Sequence, residues 1–125
     1  MDRNEEMTRI RPNRNGTSAP KDAKEFYDHT LKAVIQMQTP VLLSFLKRYA
    51  HRKSKHFSLY KTTEKVRFLK VLLRENELVH QALYGIVQGV LTTDEMDFFF
   101  DHTDHLEKAV LRDVEALIEK NTVML

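Results

Sequence analysis

Beyond its twentieth residue the chain holds almost nothing with which to break a helix. From residue 21 onward there are one Pro and two Gly: Pro40, Gly85 and Gly89. A fold made of many short strands needs turn residues every few positions, and these are missing. Long helices are what such a sequence can form. The apolar spacing agrees. Tyr27, Leu31, Val34, Ile35, Gln38, Leu42, Phe45 and Tyr49 recur at steps of three and four, which is one face of a helix. Phe68, Leu69, Leu72, Val79, Leu83, Ile86, Val87 and Val90 form a second such stripe over 62–91. Met96, Phe99, Leu106, Val110, Val114 and Leu117 form a third over 93–120.

These stripes predict an all-α antiparallel bundle of three long helices. The first stripe keeps its phase across Pro40, which favours one kinked helix. If Pro40 instead starts a new helix behind Thr39 as its cap, the bundle has four. Thr92 followed by Glu95 has the spacing of a capping box and predicts a helix start there. Asn121 is the expected stop of the last helix. Asn76 falls inside the second stripe and calls for a hydrogen-bond partner in the core. A length of 125 residues fits one domain. Residues 21–125 are expected to form it. Residues 1–20 are polar, punctuated by Pro12, Gly16 and Pro20, and read as a flexible tail.

Composition excludes several classes. The chain has no Cys, hence no disulfide, thiolate catalysis or Cys-ligated zinc. This fits a cytoplasmic protein, the expected localisation. No N-terminal stretch has the character of a secretion signal. The uncharged run 33–46 is too short and polar to span a membrane, so no membrane role is expected. With three Gly in all, there is no phosphate-cradling loop or dinucleotide fingerprint.

Six His invite a search for metal ligands. His102 and His105 are helix neighbours, but His-Glu-x-x-His and Glu-x-x-His are absent. A boundary cluster of Glu75, His80, Glu95 and His102 is the best interior candidate. Its members are read as residues satisfied by water and by one another. No cofactor, metal or catalytic residue is therefore assigned, and the chain is expected not to be an enzyme.

Charge is the strongest functional signal. Residues 47–74 hold ten cations and one acid, Glu64, while the whole chain carries +2. Residues 92–121 carry −6. Folding alone gives no reason to gather so many like charges around one turn, placed at about 52–61. Lys47, Arg48, Arg52, Lys53, Lys55 and Lys61 are the expected contacts to an anionic partner, with Tyr60 as a stacking ring if that partner is nucleic acid. Phe98, Phe99 and Phe100 cannot all share one helix face. Phe99 fits the core, leaving Phe98 and Phe100 as candidates for a partner or homodimer contact.

The preferred reading is thus a non-enzymatic regulatory or adaptor module that binds a macromolecule through 47–74. A nucleic-acid-binding protein using the same cations is the alternative. A metal-binding protein or enzyme of the bundle type, built on His, Glu and Asp, is the weaker third.

Overall fold

Asp22 opens the first long helical run. Its carboxylate accepts from the Glu25 N–H at 2.8 Å, so one of the helix's otherwise unbonded donors is satisfied. The computed structural model describes residues 3–10, 20–121 and Leu125, with the backbone alone at 8–10. The elements are α1 (Arg3–Ile10), α2 (Ala23–Phe26), a π turn (Tyr27–Leu31), α3 (Lys32–Lys53), a 3₁₀ turn (Phe57–Leu59), α4 (Thr62–Glu75), α5 (Glu77–Gln88), α6 (Thr93–Asp101) and α7 (Thr103–Lys120). The fold is all-α, with no strand among the described residues and no helix long and apolar enough to cross a membrane.

From Ala23 to Lys53 the run is unbroken, and Pro40 lies inside α3. The hydroxyl of its neighbour Thr39 donates to the Ile35 carbonyl at 2.9 Å. Phe26, Leu31, Val34, Ile35, Leu42, Leu46 and Ala50 are buried along this run. Phe45 and Tyr49, expected on the stripe, are partly buried at its edge. The steps 42, 46, 50 place the true centre one residue further along. Ser54 ends α3, and its N–H reaches the Ala50 carbonyl.

The second and third expected helices are each divided, which corrects the count of three. Asn76 stands extended between α4 and α5. Its Oδ1 accepts from the Val79 N–H at 3.1 Å, and its Nδ2 donates to the Tyr49 hydroxyl at 3.0 Å. The amide therefore caps a new helix instead of lying inside one. At His102 the last helix breaks again. There the Thr103 hydroxyl donates to the Phe100 carbonyl at 2.7 Å, the local side-chain competition that weakens a helix. The Thr92–Glu95 capping box is present with both of its bonds. Asn121 follows the last residue of α7, as the sequence indicates.

Directions follow from cross-helix contacts. Gln38 bonds to the Ile86 carbonyl and Tyr49 to Asn76, so α3 and α5 run antiparallel. Lys70 pairs with Glu115 and Glu119 while Arg74 pairs with Glu115, so α4 and α7 also run antiparallel. Leu69, Leu73, Val79, Leu83, Val87, Phe99, Leu106, Val110, Val114 and Ile118 complete one core.

The expected tail over 1–20 differs in its first part. Arg3–Ile10 is helical, and the Arg3 guanidinium donates to the carbonyls of Leu91 and Gly89. Asn4 exchanges two hydrogen bonds with Thr93. The remainder of that stretch, residues 1–2 and 11–19, lies outside the described residues.

Candidate functional site

The basic turn is built on one buried ring. Phe57 has no exposed surface, although cations flank it in the sequence. It meets Tyr60 at 5.8 Å and Phe68 at 5.7 Å between centroids, with the His51 ring edge-on at 5.2 Å. The hydroxyls of Ser54 and Tyr60 lie 2.8 Å apart and join the two sides of the turn. With Phe57 and Tyr60 directed inward three residues apart, Leu59 is left outside. It is 80% exposed, the largest value among the big apolar side chains of the described residues.

The ten cations divide into two sets. Lys70 is bound to Glu119 and Glu115 of α7, and Arg74 to Glu115. The bond to Glu119 holds the Lys70 ammonium above the ordinary lysine value. Lys65 lies 5.4 Å over the Phe57 ring and Lys53 5.5 Å over the Tyr49 ring. Lys53 and Arg52 also sit in the last turn of α3, where the helix dipole favours positive charge. These five have a folding rationale.

Lys47, Arg48, Lys55 and Lys61 have none. All four side chains are exposed, and among the described residues none lies within ion-pair distance of a carboxylate. Arg67 is exposed likewise. Ser44, Lys47, Arg48, His51 and Arg52 line one shallow groove. Their spacing of three and four along α3 puts them on a single helix face. The result is a positive strip that runs along the end of α3 and into the turn. Chemically it can attract anions. The hydroxyl of Ser54, between Lys53 and Lys55, is bonded to that of Tyr60.

Of the expected contact residues, the structure brings Lys47, Arg48 and Arg52 onto one face and leaves Lys53, Lys55 and Lys61 exposed around the turn. Tyr60 is half-buried in the aromatic cluster. Phe98 is half-buried, stacked on Phe26 at 4.9 Å and on His102 at 4.1 Å. Phe100 is 62% exposed.

The interior polar candidates are kept apart. His80 contacts the Leu73 carbonyl and Glu77, His102 contacts the Phe98 carbonyl, Glu95 serves the α6 cap, and Glu75 is exposed. Among the described residues no group of three or more His, Asp or Glu is close enough to hold a metal ion.

One polar cluster escaped the sequence reading. The Tyr27 hydroxyl donates to Asp113, and the Arg112 guanidinium lies 5.1 Å over the Tyr27 ring. Burial pushes the Tyr27 phenol up, and the bond to Asp113 adds to this. The partners lie on helices far apart in the chain, so no local spacing announces them. Comparison of the chain with protein-family models, with curated proteins and with solved structures finds no match.

Proposed function

We propose that this protein is a non-enzymatic regulatory or adaptor module that binds an acidic protein surface through the basic end formed by Lys47, Arg48, Arg52, Lys53, Lys55 and Lys61. The observation that carries this reading is the division of the cations. Lys70 and Arg74 are neutralised by α7, whereas the cationic side chains from 47 to 61 are exposed and, among the described residues, have no carboxylate within ion-pair distance. Leu59 favours protein over nucleic acid. An apolar side chain exposed among cations adds contact area against a protein, and phosphate does not use it. Tyr60, the ring best placed in sequence for base stacking, is engaged inside the turn.

Nucleic acid is the second reading, favoured by the regular spacing of Lys47, Arg48 and Arg52 along one helix face. One set of assays separates the two. The variant Arg52→Glu, Lys53→Glu, Lys55→Glu is compared with wild type in capture of native partners and in gel shifts with mixed DNA and RNA. The expected result is a captured protein that salt elutes and the variant loses, with no nucleic-acid shift. A shift that falls by orders of magnitude between about 50 and 200 mM salt supports nucleic acid instead. Equal binding by the variant in both assays removes the basic end from the account.

A further inference from the structure

The end of the molecule remote from the basic turn carries its complement. Between residues 93 and 105 there are five acids and no Lys or Arg, against six cations and no acid between 47 and 61. Asp94, Asp97, Asp101 and Asp104 are exposed. At 100° per residue, Asp94, Asp97, Phe100 and Asp101 fall within one arc of α6. Phe100, Asp101 and Asp104 line one shallow cleft with His102, Thr103 and His105. Each patch thus includes a large exposed apolar side chain, Leu59 near cations and Phe100 near acids, exposed by 80% and 62%.

The patches lie far apart. Phe98 stacks on Phe26, which fixes α6 beside the start of the first helical run. The basic turn follows the end of that run after Lys53. At 1.5 Å per residue the separation along the run is roughly 40 Å. One copy therefore cannot join its own two patches.

We propose that a second copy of this chain occupies each patch. The basic end of one molecule docks on the acidic end of the next, with Leu59 against Phe100 and Lys55 and Lys61 facing Asp97, Asp101 and Asp104. Charge complementarity selects this occupant, and the paired apolar side chains give the contact a centre from which water is excluded. Because the two surfaces differ and lie at opposite ends, the contact is heterologous. It propagates into an open chain or closes into a ring instead of stopping at a two-fold dimer. The proposal does not rest on an external partner. Where one exists, it competes with the second copy for the same basic end.

Sedimentation of purified protein tests this. At about 50 mM salt and about 100 µM protein, the mean mass of wild type rises with concentration past twice the 14.8 kDa monomer. In 1 M salt, where the screening length is about 3 Å, it returns to the monomer. Two variants each remove one end: Lys55→Gln, Leu59→Ser, Lys61→Gln for the basic end, and Asp97→Asn, Phe100→Ser, Asp101→Asn for the acidic end. Each alone stays monomeric at low salt. Mixed in equal amounts they form a dimer and nothing larger, because only one native pair of ends remains. The single changes Leu59→Ser and Phe100→Ser carry the same comparison if circular dichroism shows a triple variant unfolded. Wild type that stays monomeric or stops at a dimer overturns the proposal. So does a variant that associates alone, or a mixture that stays monomeric. The acidic-end variant keeps the basic end intact, so its binding to an external partner is measured separately from this outcome.

Discussion

Asn76 commits every polar group of its side chain. Its oxygen caps α5 and its nitrogen serves the Tyr49 hydroxyl, tying α5 to α3. Replacing it by Ala removes both bonds at once. The expected cost is about 1–2 kcal/mol, read from the urea midpoint. Asn76→Asp keeps an acceptor for the Val79 N–H and loses the donor to Tyr49, so it should fall between Ala and wild type. Equal losses in both variants would mean that the cap contributes nothing. Tyr84 offers a different readout. It is 5% exposed, and burial, reinforced by the charges of Glu107 and Glu77, pushes its phenol from 10.0 up to about 12. The raised value means the folded state holds this proton more tightly than the unfolded chain. Its contribution is complete below pH 10 and is lost as pH climbs to about 12. The urea midpoint should therefore fall over that window, and Tyr84→Phe should flatten the fall. An identical decline in the variant would remove Tyr84 as its cause.

Among elements, α4 sets the sharpest test of helix phase. Leu73 is buried and Leu72 is only partly so, although the stripe read from sequence ran through Leu72. Leu73→Ala should cost about 2–5 kcal/mol, as core truncations do, and Leu72→Ala distinctly less. Equal shifts of the urea midpoint would place both on one buried face. The error of one residue has a physical source. Phe68, Leu69, Leu72 and Leu73 offer two adjacent arcs, and the choice between them depends on α7, which pairs with Lys70 on the flank. The helix starts at Thr92 and the stop at Asn121 were legible because caps are local chemistry. The breaks at Asn76 and His102 were not, because apolar residues continue in step on both sides of each. For the candidate site, the surplus of cations could be counted from the sequence. Which of them were already neutralised could not, since Glu115 and Glu119 lie more than forty positions from Lys70 and Arg74.

For the molecule as a whole, the clasp between Ser54 and Tyr60 separates what holds the fold from what joins its halves. The helices before the turn bury themselves against α5 and α7, and between Lys53 and Thr62 Phe57 alone is fully buried in that core. Lys53, Lys55 and Lys61 offer trypsin exposed cleavage points in that connection. A single cut after Lys55 should therefore sever the covalent chain without dispersing the core. A denaturing gel would resolve two fragments, while native gel filtration would show one peak at the intact size. Separation of the fragments under native conditions would show the loop to be essential to the core. Otherwise the two pieces, made as separate polypeptides, should find each other and fold together, much as a split reporter does.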